Sequence, residues 1–235
     1  MADGEYRSRR QQLREKVTGL SDLPMRLLSA ILMLAIAVGA VLLGGYVLQA
    51  FIVLVALAAC FEFFRLIWKA YSGTVPRVVG ALLGVSYFGI AVYALSQFDV
   101  AGLVMIVGAV IAVDVFAYFF GRAIGGPKIA PRISPSKTWA GLLGGIVGVA
   151  SFLSLYAWLG LEGAPSLGDG PLLLVWSVSI AVIAQAGDFL ESWMKRRANV
   201  KDSSNLIPGH GGVFDRVDGL AAVAFVGGLL GLVFA

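Results

Sequence analysis

The chain has 235 residues, of which 59% are hydrophobic and only 14% are charged, and its mean hydropathy is +0.87. Soluble domains carry about 25% charged residues, and disordered chains are poor in apolar residues, so composition excludes both classes. The formal net charge is +4, and Cys60 is the single cysteine. An intramolecular disulfide and a cysteine-rich zinc site are therefore excluded as well. The composition is that of a polytopic membrane protein.

Seven apolar segments are long enough to cross a bilayer as helices, because a span needs about 20 predominantly apolar residues. They cover residues 27–43, 46–68, 78–96, 101–121, 139–160, 171–190 and 217–235. Only Gly44 and Gly45 separate the first two, which predicts a tight helical hairpin. We therefore expect an all-α polytopic membrane fold with about seven transmembrane helices. Its regions are a basic N-terminal segment at 1–26, transmembrane helices 1–3 at 27–96, and a C-terminal transmembrane region at 97–235 with polar loops at 122–138 and 191–216.

The basic residues orient these predicted helices. Seven spans place alternate loops on opposite sides, and all 18 lysines and arginines then fall on one side. The opposite loops carry only Asp99, Glu162 and Asp169. The positive-inside rule makes the basic side cytoplasmic, with the N-terminus inside and the C-terminus outside. This one-sided distribution accounts for the isoelectric point near 9.3, so we expect membrane lipids and no nucleic acid as partners.

The predicted loop after the fourth span, residues 121–141, is basic and contains no acid. Ser134-Pro135-Ser136 predicts a turn just before Lys137 and Thr138, which begin the next helix. Helix N-termini with nearby cations bind phosphate groups. The alternative is an ordinary positive-inside loop without a ligand.

The predicted loop after the sixth span, residues 187–218, combines acids with cations. Four polar residues at its start lie at positions i, i+3, i+4 and i+7 and therefore share one helix face: Asp188, Glu191, Ser192 and Lys195. A glycine-rich turn at 208–212 follows, and Asp215 and Asp218 then enter the last helix on one face. Carboxylates hold Mg²⁺ while lysines and arginines neutralise phosphate charge. The alternative for Asp188 and Asp218 is simple snorkelling at the ends of the spans.

Three further polar residues stand in informative places. Asp114 lies inside the fourth predicted span, where an acid costs about 2.5–3.5 kcal/mol and is functional by default; an interhelical hydrogen bond or ion pair is the alternative. Glu62 is three residues from Arg65, which predicts a local ion pair. His210, the only histidine, lies in the glycine-rich turn. A phosphate contact is favoured there over metal ligation or a structural role.

Together these segments carry a long motif. It reads Ser192-x-x-Lys195-Arg196-x-x-x-x-Lys201-Asp202, then Pro208-x-His210-Gly211-Gly212-x-x-Asp215-Arg216-x-Asp218. Upstream stand Asp114, Ala117-Tyr118, Gly121, Lys128, Ser134-Pro135-x-Lys137-Thr138 and Gly187-Asp188-x-x-Glu191-Ser192. The pattern, over residues 110–220, resembles the phosphatidate cytidylyltransferases, also called CDP-diacylglycerol synthases. The chain departs from that family at Ala140, where the family usually has Glu or Gln.

The resemblance implies a nucleotidyltransferase that converts CTP and phosphatidic acid to CDP-diacylglycerol and pyrophosphate, with one or two Mg²⁺ ions. It also implies a homodimer in a bacterial cytoplasmic (inner) membrane, with the active site facing the cytoplasm. The expected catalytic residues are Asp188, Ser192, Asp215, Asp218 and Lys201, and the expected metal ligands are Asp188, Asp215 and Asp218. The expected substrate-binding residues are Lys128, Ser134, Lys137, Thr138, Lys195, Arg196, His210, Gly211, Gly212 and Arg216. Asp114, Glu191 and Asp202 complete the expected site.

Two alternatives stay open. One is a related CTP-dependent enzyme that acts on another lipid phosphate or on a polyprenol. The other is an ion-coupled transporter that uses Asp114, Asp188 and Asp218 as a relay. The acids of a transporter should lie near the bilayer midplane, whereas these acids are predicted mostly toward one face.

Overall fold

The computed structural model describes the backbone of residues 2–161 and 170–234 and the side chains of residues 23–161 and 170–233. The helices are α1 Ala2–Leu43, α2 Gly45–Ala70, α3 Thr74–Ser96, α4 Val100–Ala123, α5 Trp139–Trp158, α6 Gly170–Arg197 and α7 Phe214–Phe234. Two short strands, β1 Lys128–Ala130 and β2 Ser134–Thr138, lie between α4 and α5. All seven helices contain a segment long and apolar enough to cross a membrane. The predicted all-α membrane fold is confirmed, and the structure adds a small β-hairpin.

Several helices extend beyond the apolar spans predicted for them. The backbone of α1 is helical from Ala2, α6 continues to Arg197, and α7 already begins at Phe214. The predicted bounds followed hydropathy, whereas a helix continues through polar residues while its backbone hydrogen bonds are maintained. The second polar loop is therefore reduced to residues 198–213. Glu162 and Asp169, two of the charges predicted on the opposite side, lie outside the described residues.

The predicted hairpin between α1 and α2 is confirmed. Gly44 and Gly45 both have positive φ angles, of 59° and 47°. Glycine adopts this left-handed region without the steric cost that a Cβ brings. The two residues therefore reverse the chain within one turn.

An aromatic cluster fixes the start of α7 against α2 and α3. The rings of Phe63 and Phe214 meet edge to face with centroids 5.9 Å apart, and Phe88 stands 5.7 Å from Phe214. Phe214 is fully buried and is the first residue of α7. Edge-to-face aromatic pairs contribute about 0.5–1.5 kcal/mol beyond the area they bury. The first turn of α7 consequently has a fixed place in the bundle.

Small residues allow the other helices to approach closely, as is common in membrane bundles. The face of α5 that packs on α4 contains four buried glycines: Gly141, Gly144, Gly145 and Gly148. On α6, a Cβ atom at Gly187 would stand 2.5 Å from the carbonyl oxygen of Asp218 and 2.7 Å from the Cβ of Ala222. The close approach of α6 and α7 brings their acidic ends side by side.

Three of the segments between helices gather at one end of the bundle: residues 71–73, the β-hairpin and residues 198–213. The Nδ1 atom of His210 lies 2.8 Å from the Oγ of Ser29 on α1. The guanidinium of Arg197 stands 4.8 Å from the ring centre of Tyr71, in the segment between α2 and α3. Arg196 donates to the carbonyl oxygen of Ile133 in the β-hairpin at 3.5 Å. The segments predicted to be basic therefore adjoin one another in space.

Candidate functional site

The β-hairpin positions the start of α5. Lys128 pairs with Thr138, and Ala130 with Ser134, in antiparallel register. The Oγ1 of Thr138 accepts a hydrogen bond from the backbone N–H of Gly141 at 3.0 Å, and so caps α5. Ser134 and Thr138 are buried. These two predicted substrate-binding residues thus lie at the junction of hairpin and helix, where they fix the backbone around Lys137.

Carboxylates from three helices act on the charge of Lys137, and one of them contacts it. Its ammonium group forms an ion pair with Asp188 of α6. Burial lowers the pKa of Lys137 from its ordinary value, and the charges of Asp114, Asp218 and Glu191 oppose this fall. The hairpin therefore inserts one cation between α4, α6 and α7.

A second lysine links α6 to α7. The Nζ of Lys195 lies 2.5 Å from Oε1 of Glu191 and 3.1 Å from Oδ1 of Asp215. The Oδ2 of Asp215 also accepts hydrogen bonds from the backbone N–H groups of Ser203 at 3.1 Å and Gly212 at 2.9 Å. Asp215 thereby connects α6, the loop 198–213 and its own helix.

Together these groups form what we name the inner cluster: Lys137, Asp188, Glu191, Lys195, Asp215 and Asp218. Asp218 accepts a hydrogen bond from the backbone N–H of Gly219 at 2.9 Å. A Cβ atom at Gly219 would stand 3.5 Å from Oδ1 of Asp188, which shows that Asp188 adjoins the same turn of α7. When all are ionised, four carboxylates and two lysines carry a formal charge of −2.

The predicted metal ligands do not converge on one point. Among the residues whose side chains are described, no three of His, Cys, Asp and Glu are close enough to form a ready-made metal site. Asp188 is paired with Lys137, and Asp215 with Lys195. Mg²⁺, however, usually takes only one or two carboxylates and fills its octahedron with water and substrate phosphates. The oxygen donors and the excess negative charge of the inner cluster fit such an ion.

A separate polar cavity of about 360 Å³ lies beyond the inner cluster. Three cations and one acid are among the residues that line this outer cavity: Arg26, Lys201, Arg216 and Asp202. Residues two apart on a helix point roughly 160° away from each other, so Arg216 faces this cavity while Asp218 faces the inner cluster. The motif is thus divided between two neighbouring polar sites.

Contacts with α1 hold His210 at the outer cavity. The Oγ of Ser29 forms a hydrogen bond with Nδ1 of the His210 ring. The backbone carbonyl of His210 accepts a hydrogen bond from Nη2 of Arg216 at 2.6 Å. Gly209 and Gly211 flank it with φ angles of 75° and 85°. A Cβ atom at Gly209 would stand 2.6 Å from Cγ of Arg26. The glycine-rich turn therefore packs directly on the first helix.

The remaining predicted residues lie around these two sites. Lys128 and Arg196 are exposed, Ser192 is half-buried on α6, and Asp114 is exposed on α4. Ala140 lies in the first turn of α5, so that position supplies no polar side chain to the hairpin junction.

The prediction for Glu62 is wrong. Among the described side chains, Arg65 forms no ion pair with it; Glu62 instead accepts hydrogen bonds from residues 203, 204, 213 and 214. The sequence also did not identify Arg26 and Ser29 of α1 as residues of the site, because no motif covers them. The available signal for Glu62 was an acid inside an apolar run, which is costly unless it has partners.

The fold defines an integral membrane protein with a cluster of acids and lysines, beside a cavity lined by cations, at one end of the bundle. A sequence model of the cytidylyltransferase family matches residues 67–234. The chain belongs to the cytidylyltransferase family.

Curated relatives extend this finding. A phosphatidate cytidylyltransferase of Brucella abortus is 42% identical over 158 residues, which cover 65% of this chain and 57% of the relative. One from Rickettsia bellii is 32% identical over 217 residues, or 89% of this chain and 92% of the relative. One from Haemophilus influenzae is 44% identical over 117 residues, or 48% and 40% respectively. The chain thus spans just over half the length of the Brucella relative and nearly all of the Rickettsia one.

Proposed function

We propose that the protein is a phosphatidate cytidylyltransferase, which makes CDP-diacylglycerol and pyrophosphate from CTP and phosphatidic acid. The observation that carries the proposal is the inner cluster, which joins carboxylates and lysines from three parts of a membrane bundle. Relatives in several bacteria bear the name phosphatidate cytidylyltransferase. The motif within residues 110–220 supports the same substrates.

The reaction joins two anions, and this explains the need for so many charged groups. A phosphate oxygen of phosphatidic acid attacks the α-phosphorus of CTP. A new P–O bond forms there, the bond from the α-phosphorus to the oxygen that bridges to the β-phosphorus breaks, and pyrophosphate leaves. Such transfers depend mainly on positioning and on electrostatic stabilisation. Lys137 and Lys195 supply fixed positive charge where phosphate charge would develop.

Asp188, Asp215 and Asp218 are the residues that would hold Mg²⁺. When bound, the ion would polarise phosphate oxygens and screen the repulsion between the substrates. Lys137 and Lys195 pair with two of these acids, so a divalent cation would compete with them for the same oxygens. We expect one or two Mg²⁺ ions to bind.

The outer cavity suits a phosphate group of one substrate. Arg26, Lys201 and Arg216 approach it from α1, the loop 198–213 and α7, and arginine is well adapted to planar, bidentate contacts with phosphate. Arg26 would then be a member of the site that the motif does not contain.

We further propose that the site end of the bundle faces the cytoplasm of a bacterial inner membrane, because the cations gather there. That side supplies CTP, while phosphatidic acid stays in the lipid. A homodimer also remains an expectation, which mass measurement of the detergent-solubilised protein would test.

The activity is tested with purified protein in vesicles that contain phosphatidic acid. We expect pyrophosphate release that requires CTP, phosphatidic acid and Mg²⁺ together. Release with a polyprenyl phosphate in place of phosphatidic acid would favour the related lipid enzyme. Ion flux without pyrophosphate release would favour the transporter.

The metal assignment is tested with Mn²⁺, whose electron paramagnetic resonance signal weakens when it binds protein. We expect Mn²⁺ to bind the wild type in the presence of CTP. Asp188→Asn should weaken binding at least tenfold, whereas Asp99→Asn, at the far end of the bundle, should not. Equal binding by all three proteins would contradict the assignment.

A further inference from the structure

We infer that Glu62 of α2 is a positioning residue that holds the loop 198–213 and the first turn of α7 in place for the reaction. Glu62 is 1% exposed. It lies in the second transmembrane helix, outside the residues 67–234 that the family model matches. The catalytic part of this inference rests on the proposed function.

The carboxylate of Glu62 receives four hydrogen bonds. Its Oε1 accepts from the hydroxyl of Ser204 at 2.5 Å and from the backbone N–H of Val213 at 3.1 Å. Its Oε2 accepts from the hydroxyl of Ser203 at 2.9 Å and from the backbone N–H of Phe214 at 2.7 Å. A carboxylate has about four acceptor positions, so all of them are used. Buried acids are tolerated when they are satisfied in this way.

All four donors belong to the loop or to the start of α7, and none to α2 itself. The first N–H groups of a helix have no partner within the helix, and Glu62 supplies one from another helix. The contact therefore joins the second transmembrane helix to the motif across the bundle. A negative charge is also favourable at a helix N-terminus.

The same loop is held from the other side by the inner cluster. Ser203, whose hydroxyl contacts Glu62, donates its backbone N–H to Asp215 at 3.1 Å. Gly212, which also donates to Asp215, lies so close to Glu62 that a Cβ atom there would stand 2.7 Å from its Cδ. Glu62 and Asp215 thus fix opposite sides of one loop. Displacement of the loop from Glu62 would displace the Asp215 carboxylate.

Glutamine cannot replace this carboxylate. Each oxygen of Glu62 accepts one backbone N–H, so either orientation of an amide sets its NH₂ against a backbone donor. Glu62→Gln keeps the volume of the side chain but removes the clamp. Ser204→Ala is a milder variant, which removes only one donor.

The first measurement is hydrogen exchange in detergent, which does not depend on activity. We expect amides in residues 201–214 to exchange at least tenfold faster in Glu62→Gln, and threefold or more faster in Ser204→Ala, while exchange in α4 and α5 stays unchanged. Two controls should match the wild type in residues 201–214. Arg65→Gln removes an exposed charge one turn away, and Leu48→Ala removes a buried side chain from another part of α2.

The second measurement is turnover and its Mg²⁺ dependence. We expect kcat to fall 10–100-fold in Glu62→Gln and the Mg²⁺ concentration for half-maximal rate to rise at least threefold, because the carboxylates of α7 shift. Ser204→Ala added to Glu62→Gln should cause no further loss. Arg65→Gln should leave both values near those of the wild type.

Unchanged exchange in both Glu62→Gln and Ser204→Ala would overturn the inference. Faster exchange with unchanged kcat and Mg²⁺ dependence would also overturn it, because Glu62 would then serve stability alone. If Glu62→Gln does not fold, Ser204→Ala decides by the same two measurements. If the wild type makes no CDP-diacylglycerol, the proposed function fails, and exchange alone decides whether Glu62 holds the loop.

Discussion

At the scale of single residues, Lys137 forms an ion pair in the structure and is also expected to bind a substrate phosphate. Its ammonium group pairs with Asp188, and the charges of Asp114, Asp218 and Glu191 also act on it. A substrate phosphate near this point would exchange one anionic partner for another. Lys137 is therefore better placed than an exposed loop cation to respond to substrate.

We expect Lys137→Ala to lower kcat/KM for CTP or phosphatidic acid about 10–1000-fold, since it removes a charge-assisted contact. Lys137→Arg should recover only part of the rate because a planar fork replaces a point charge poorly. Arg122→Ala, which removes an exposed cation at the end of α4, is the matched control. Wild-type kinetics in Lys137→Ala would indicate that the basic segment 121–141 only orients the protein in the membrane and binds no substrate.

Arg26 is the residue that tests the outer cavity. We expect Arg26→Ala to raise the KM for one substrate about 5–50-fold, with a smaller change in kcat, because a phosphate contact present in ground and transition states acts on binding. Initial rates with each substrate varied in turn identify which phosphate is bound. The control is Arg77→Ala, whose guanidinium contacts the carbonyl oxygens of Tyr71 and Trp68 instead. Unchanged KM values for both substrates would exclude the cavity as a substrate site.

At the scale of elements, the spacing of α6 and α7 determines where the acids stand. We expect Gly187→Ala to destabilise the protein by about 1–3 kcal/mol through overpacking and to lower activity, because the new methyl group meets the Asp218 carbonyl. Gly231→Ala on α7, whose new Cβ would have no atom of the described residues within 4 Å, should preserve both stability and activity. Thermal unfolding in detergent and the turnover assay measure the pair. Equal behaviour of the two variants would contradict the close approach of α6 and α7.

The elements also show which parts of the structure were predictable. Apolar length indicated each of the seven helices, and the Gly44-Gly45 pair indicated the first turn. The β-hairpin was missed because strands of three and five residues leave no clear alternation in a loop rich in Gly and Pro. The sixth apolar span was predicted to end at Leu190 because charged residues end an apolar run without ending a helix. The spacing of Asp188, Glu191 and Lys195 nevertheless indicated helix as far as Lys195, and α6 ends at Arg197.

The site was partly predictable for a similar reason. Helical spacing placed Asp188, Glu191 and Lys195 on one face, and Lys195 does contact Glu191. The pairing of Lys137 with Asp188 depends on contacts across the bundle, which spacing along the chain does not specify. The partners of Glu62 lie about 140–150 residues away in sequence, so a local ion pair was the nearer and incorrect choice.

At the scale of the whole molecule, the orientation of the bundle decides whether the site meets CTP. We expect a cysteine at Gln97, between α3 and α4, to react with an impermeant thiol reagent in intact cells. One at Ser72, between α2 and α3, should react only in inverted vesicles. Cys60→Ala provides the background for both. The reverse pattern would place the site on the outer face and contradict the proposed use of cytosolic CTP.

The proposed reaction is nucleotidyl transfer to a lipid phosphate, and it can be followed through the fate of a label in CTP. Purified protein would be incubated with Mg²⁺, phosphatidic acid vesicles and CTP labelled at either the α- or the γ-phosphorus. We predict that the α-label enters the lipid fraction as CDP-diacylglycerol while the γ-label leaves as pyrophosphate. The γ-label in lipid would instead indicate a kinase, and no label in lipid from either CTP would contradict the account.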